Sequence, residues 1–117
     1  MRLPENETGL WTIDKTTVKQ YIMQDEHFEW RDDKAARNWR EHGVTFETAR
    51  DVFRDAFAIE WDDRGQDEGE DRFVTVGMVD DRLLFVSYTM RGERIRIISA
   101  RFAEPYERRR YHNENQA

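Results

Sequence analysis

Between residues 71 and 117 the chain carries nine basic side chains, and all nine are arginine. Arg72, Arg91, Arg94, Arg96 and Arg101 are the candidates among them, all on or beside strand-like runs. A guanidinium keeps its charge at any biological pH, and its rigid fork of donors fits phosphate oxygens. The group therefore points to phosphate chemistry. Ser99 adds a hydroxyl among them. Glu70, two residues before Arg72, can act as a base if its proton affinity is raised, and Tyr88 or Tyr111 can orient a nucleotide or donate a proton. Each has a structural alternative. Glu70 and Arg72 can form a loop-to-strand salt bridge, Tyr88 can pack in a core with its hydroxyl at the surface, and any single charge can simply be solvated.

Other chemistries find less support. His27, His42 and His112 show no metal-ligand spacing with one another or with an acidic residue, so no metal is expected. His42 precedes Gly43 at a helix end, where a cation interacts favourably with the helix dipole. Asp62, Asp63, Asp67, Glu68, Glu70 and Asp71 lack the spacing of a calcium loop and read as a solvated turn region. Glycine-rich phosphate loops and nucleophile elbows are absent, so no cofactor is expected. There is no cysteine, which excludes disulfides and thiolate zinc sites.

Apolar and charged residues each make up 38% of the 117, but 4 Trp, 7 Phe and 4 Tyr can supply one modest core. The net charge of −6 is unevenly spread: residues 1–70 hold 10 basic and 18 acidic side chains, residues 71–117 hold 9 and 7. Attraction to phosphate depends on local fields, so the arginine-bearing half can serve a nucleic acid and the acidic half can meet a basic partner. No apolar run reaches membrane-spanning length, and Met1 to Asn6 lacks the pattern of a signal peptide. A cytoplasmic protein without membrane contact is the expectation.

Residues 1–26 read as an extension, residues 27–112 as one domain and residues 113–117 as a frayed tail. In the extension, Leu10 to Ile13 suits a short strand, and Asp14 or Thr16 can cap a short helix through Val18, Tyr21 and Ile22. Phe28-Glu29-Trp30 alternates like a strand. Asp32 then suits the N-cap of a helix with Ala35, Ala36 and Trp39 as its apolar stripe, ending at Gly43. Thr45 suits the cap of a second helix carrying Phe46, Ala49, Val52, Phe53 and Ala56. A short strand near Ile59 and the acidic loop follow. Three strand-like runs, residues 72–79, 82–91 and 93–102, are separated at hairpin spacing by Asp80-Asp81 and Gly92. Glu104-Pro105 opens a final helix with Tyr106, Arg110 and Tyr111 near one face. The expected class is α+β: two N-terminal helices, an antiparallel sheet of about four strands and a C-terminal helix.

In the last strand the alternation slips between Ile97 and Ile98. One extra residue there, a β-bulge, would return Ile95, Ile97, Ile98, Ala100 and Phe102 to one face and leave Arg94, Arg96, Ser99 and Arg101 on the other. The alternative is a strand buried on both sides, with the arginines reaching out at its ends.

These blocks resemble the BrnT toxins. The resemblance rests on Phe28-Glu29-Trp30, Lys34-Ala35, Asn38, His42-Gly43-Val44-Thr45-Phe46-Glu47, Ala49 and Val52-Phe53. It continues through Glu68-Gly69-Glu70, Arg72-Phe73, Gly77, the run Ile95 to Arg101, and the pair Glu107 and Tyr111. It implies a RelE-like ribonuclease fold and the toxin of a type II toxin–antitoxin system, a metal-independent endoribonuclease that inhibits translation. The implied partners are RNA and a BrnA-like ribbon-helix-helix antitoxin, in a 2:2 heterotetramer that meets DNA only through the antitoxin. In that reading Glu70, Arg72, Tyr88 and Arg96 are catalytic, and Arg91, Arg94, Ser99, Arg101 and Tyr111 bind RNA. Gln66 stands near a position where many members carry histidine. Two rival readings follow: a non-catalytic module that holds a partner and modulates its DNA binding, and an RNA-binding protein without toxicity.

Overall fold

A computed structural model describes residues 11–13, 21–24, 27–63 and 71–116. In chain order its elements are β1 (Trp11–Ile13), β2 (Tyr21–Gln24), β3 (Phe28–Arg31), α1 (Asp32–His42), α2 (Phe46–Arg50), a 3-10 turn (Asp51–Arg54), β4 (Ile59–Asp62), β5 (Phe73–Val79), β6 (Arg82–Arg91), β7 (Arg94–Phe102) and α3 (Pro105–Glu114). The strands form one sheet in the order β1-β2-β3-β7-β6-β5-β4.

The class is α+β, with three corrections to the expected layout. Helices α1 and α2 are not N-terminal, since β3 precedes them. Five strands, not about four, lie between Phe28 and Phe102, and β1 and β2 extend the sheet. The sheet is mixed, because β3 runs parallel to β7 with Phe28 opposite Ile95 and Glu29 opposite Arg96. The strand expected at Leu10 to Ile13 forms over Trp11–Ile13, with Leu10 outside the described residues, but Tyr21 and Ile22 belong to strand β2 and not to a helix. Ile22 pairs with Arg31 and Met23 with Trp30. A ladder built from strand-favouring residues outweighs the cost of nucleating a short helix. The proposed cap residues Asp14 and Thr16 lie outside the described residues.

Helix α1 begins one residue earlier than its composition suggests: Arg31 occupies the N-cap and Asp32 the first helical position. Asp32 and Asp33 in the first turn complement the helix dipole, and Gly43 ends the helix at φ +68°, a conformation glycine adopts without strain. Trp39 is 57% exposed and so is no part of the buried stripe. In α2, the Thr45 hydroxyl caps the helix by accepting from the Thr48 N–H at 3.0 Å. The helix ends at Arg50, and Val52 and Phe53 sit in the 3-10 turn that follows. That turn lies so close to β5 that a Cβ on Gly77 would come within 2.9 Å of Val52 Cγ1. Asp80 (φ 51°) and Asp81 (φ 66°) make the β5–β6 hairpin turn, the twist that matches paired strands.

A reciprocal capping box, Glu104 with Glu107, and Pro105 at the start open α3. Its buried residues are Glu107 and Tyr111, while Tyr106 is exposed and Arg110 stacks over the Trp61 ring at 4.3 Å. The helix continues to Glu114, two residues beyond the expected fraying point, and the Asn115 amide donates to the Phe57 and Tyr111 carbonyls.

Apolar side chains cover both sheet faces. Trp30, Phe46, Ala49, Val52, Val86 and Ile97 join the sheet to α1, α2 and the 3-10 turn; Ile59, Val74, Val76 and Leu83 pack with Ala103 and Tyr111 beneath α3. Asp55 ties the two sides together. Its carboxylate accepts from the Met78 N–H (2.8 Å), the Phe57 N–H (2.9 Å) and the Tyr111 hydroxyl (2.7 Å). No helix among the described residues is long and apolar enough to cross a membrane.

One polar side chain holds α1 against the sheet. Asn38, 4% exposed, donates to the Ala100 carbonyl (2.8 Å) and the Val44 carbonyl (2.9 Å) and accepts from the Ala100 N–H (3.0 Å). Asn38→Ala would leave three backbone groups without this partner, each costing roughly 1–3 kcal/mol when buried and unsatisfied. We expect a loss of about 3 kcal/mol in urea unfolding; a loss below about 1 kcal/mol would show that water replaces the amide.

Candidate nucleic-acid interface

The slip in β7 is a bulge. Ser99 pairs with Ser87 and Ile97 with Tyr88, so Ile98 is the extra residue. Arg94, Arg96, Ser99 and Arg101 lie opposite Arg91, Thr89, Ser87 and Phe85, alternate residues on one face of β6. Ile95, Ile97, Ala100 and Phe102 lie opposite Met90, Tyr88, Val86 and Leu84, on the other face. The expected segregation therefore holds for four of the five apolar residues. Ile98 is the exception: having no cross-strand partner, it stays half-buried and lines a hollow instead of joining the core.

That hollow, about 140 Å³, is lined by Arg31, Lys34, Arg72, Arg91, Arg96, Ile97 and Ile98. Five separate elements or their ends deliver the five cations. Arg31 closes β3, Lys34 lies in the first turns of α1, Arg72 precedes β5, Arg91 ends β6 and Arg96 follows the start of β7. Their charges are not equivalent. Arg31 forks onto Asp33 through Nε (3.1 Å) and Nη2 (3.0 Å). Arg96 places Nε and Nη2 each 2.7 Å from Glu29 Oε2, and Glu29 is only 7% exposed. The side chains of Lys34 and Arg91 make no hydrogen bond or ion pair with another described residue. So many cations around a small space repel one another, and an anion between them relieves that repulsion.

The larger cavity, about 320 Å³, lies at the other end of the strands among Trp39, Val44, Val79, Leu84 and Phe102. Leu84 and Arg91 are seven residues apart on β6, roughly 23 Å at about 3.3 Å per residue. Its only charged lining residues are Asp80 and Arg82, which gives it no cluster suited to acid–base or phosphate chemistry.

The structure sorts the residues anticipated from sequence. Arg72, Arg91 and Arg96 come together in the hollow. Arg94 and Ser99 share its sheet face and are half-buried beside it. Arg101 shares that face too, but it is committed elsewhere. Its Nη1 and Nη2 fork onto Glu107 Oε1 (3.0 Å) and Oε2 (2.9 Å), and its guanidinium lies 3.9 Å from the Phe85 ring centroid. The Glu107 bond makes Arg101 hold its proton more tightly. Tyr88 lies on the opposite face, 6% exposed and packed against Phe53 and Phe73. Burial, with a hydrogen bond to Glu60 at 2.7 Å, raises its phenol far above the usual range, so it is a poor proton donor. Tyr111 is buried beneath α3, pushed up to about 12 by burial and by its bond to Asp55. The strict alternation of a strand put Tyr88 on the wrong side, and the docking of α3 enclosed Tyr111. Glu70 lies outside the described residues.

Arg31, Lys34 and Glu29 were missed. Their signal was present in Phe28-Glu29-Trp30 and Lys34, but only the parallel pairing of β3 with β7 turns it into a site. Among the described residues no group of three His, Asp or Glu side chains could hold a metal.

Residues 30–107 match the family described as the ribonuclease toxin, BrnT, of type II toxin-antitoxin systems. The chain belongs to the BrnT family. Comparison with curated proteins finds no match. The BrnT match spans α1, the whole of β4 to β7 and the capping box of α3, and it includes every cation of the hollow. A ribonuclease toxin paired with an antitoxin protein is what the family description supplies.

The two classes of arginine make a testable contrast. Glu107 is fully buried; burial alone would raise its carboxyl, but Arg101 and the Glu104 N–H hold it below its ordinary value of 4.5. A depressed carboxyl contributes stability above its unfolded value and loses it as pH falls through the folded one. Arg101→Ala should therefore cost roughly 3 kcal/mol at neutral pH and remove part of the acid sensitivity below pH 4.5. Arg91→Ala, at an exposed residue, should leave the melting curve unchanged. Equal melting temperatures for the two variants would contradict the assignment.

Proposed function

We propose that this chain is a metal-independent endoribonuclease toxin that cleaves RNA and so inhibits translation, with the scissile phosphate seated in the basic hollow. The observation carrying the reading is the convergence of Arg31, Lys34, Arg72, Arg91 and Arg96 on one small space. RNA cleavage by the neighbouring 2′-hydroxyl passes through a phosphorane whose extra negative charge needs prearranged cations. Arg96, oriented by Glu29, is such a cation, and Arg91 is free to follow the phosphate. Arg72 completes the cradle, Arg94 and Ser99 contact flanking nucleotides, and Glu70 takes the 2′-hydroxyl proton. Tyr88, Arg101 and Tyr111 are left out of the reacting set, since their polar groups are engaged in the packing described above.

The antitoxin partner is proposed to be a BrnA-like ribbon-helix-helix protein in a 2:2 complex. An acidic segment laid over the arginine strip would neutralise the site, and DNA would be met only through the antitoxin. The enzyme acts in the cytoplasm, within a domain of residues 27–112.

Purified protein should cleave total RNA in the presence of EDTA. Arg91→Ala should lower the rate on the order of 100-fold with an unchanged melting temperature. Arg96→Ala should lower both, because it strands the buried Glu29 carboxylate. RNA left intact by the wild-type protein, with tight binding to its partner, would favour the non-catalytic module instead.

A further inference from the structure

Among the described residues that line the hollow, one is a proton carrier. Of its lining side chains two are isoleucines and four are arginines, and a guanidinium does not give up its proton in water. Lys34 remains. We infer that Lys34 is the general acid that protonates the leaving 5′-oxygen, an assignment that rests on the ribonuclease reading above.

Three observations support it. Lys34 is half-buried at the wall of the hollow, and among the described residues its ammonium has no hydrogen-bond or ion-pair partner, where Arg31 and Arg96 are clamped. It precedes Asn38 by four residues on α1, a spacing that puts both on one side of the helix. Asn38 is fastened to the backbone of β7 at Ala100, and the helix end carrying Lys34 is thereby fixed against the strand that carries Arg96. Finally, an ammonium is a proton donor, and its positive charge favours the phosphorane before the proton moves.

The 2′-oxygen bonds to phosphorus as its proton passes to a carboxylate base, and the bond from phosphorus to the 5′-oxygen breaks. The departing oxygen takes a proton from the Lys34 ammonium, which becomes a neutral amine and is recharged from solvent. The products are a 2′,3′-cyclic phosphate and a 5′-hydroxyl.

The test compares wild type, Lys34→Ala and Lys34→Arg on an oligoribonucleotide spanning a bond that the wild-type enzyme cuts in total RNA. A matched oligonucleotide carries sulfur in place of the 5′-oxygen at that bond, since a thiolate departs without a proton. On the oxygen substrate both variants should lose on the order of 100-fold in kcat, the arginine variant included although it keeps the charge. On the sulfur substrate Lys34→Arg should recover nearly to the wild-type rate, and Lys34→Ala should recover all but the part of its loss that the missing charge causes. Anisotropy with a 2′-O-methyl oligonucleotide and a melting curve should show little change in binding by Lys34→Arg and none in its fold. Wild-type kcat in Lys34→Arg would reduce Lys34 to a charge and overturn the assignment, as would a defect equally large on sulfur. A wild-type protein that cuts no RNA would overturn the ribonuclease reading and this assignment together.

Discussion

Strand β7 pairs with β3 only as far as Arg96, and beyond that point no strand among the described residues bonds to its outer edge. A buried backbone edge left in this state would cost free energy at every unpaired group. The Asn38 amide fills the gap, giving the Ala100 N–H an acceptor and its carbonyl a donor, as a neighbouring strand would. A helix can occupy the edge only because it brings a polar side chain of the right length into an otherwise apolar contact. This one substitution of side chain for strand fixes α1 along β7 and brings the helix start, with Arg31 and Lys34, to the arginines of the sheet.

The sheet face beneath α3 is then divided by chemistry. Under the helix, Ile59, Val74, Val76 and Leu83 bury apolar surface with Ala103 and Tyr111. Beyond it the face is polar, and its boundary is the Arg101–Glu107 fork stacked on Phe85. Neighbouring positions of one strand thus do opposite work. Arg101 meets a carboxylate with no exposure and serves the fold, whereas Arg96 meets one at the edge of an open hollow and stays turned toward it. The bulge at Ile98 makes both possible, since without the extra residue Ser99 and Arg101 would face the core with Ile97.

Local pattern carried much of this in advance. The broken alternation at Ile97-Ile98 disclosed the bulge, although Ile98, expected on the buried face, is itself the extra residue and leaves that face. Glu104-Pro105 disclosed the start of α3, and Arg72, Arg91 and Arg96, singled out for phosphate chemistry, share one hollow. Long-range pairing was not legible. Glu29 and Arg96 are 67 positions apart, and nothing in the run Phe28 to Arg31 states that its neighbour will be β7 and parallel. Trp39 looked like core because it is large and apolar, yet the position facing the sheet belongs to Asn38, a polar residue whose backbone partners come from elsewhere in the chain. Lys34 was hidden for the same reason: its importance lies in where α1 is docked.

The central claim is that the hollow between α1 and the arginine strip receives the phosphate of an RNA strand. Backbone amide chemical shifts, followed by NMR during titration with a non-cleavable 2′-O-methyl oligonucleotide, test it most directly. The largest changes should fall at Arg31, Lys34, Arg72, Arg91, Arg96 and Ile98, and Arg91→Ala should weaken them together. Changes centred on Trp39, Val44 and Phe102, with the hollow silent, would contradict it.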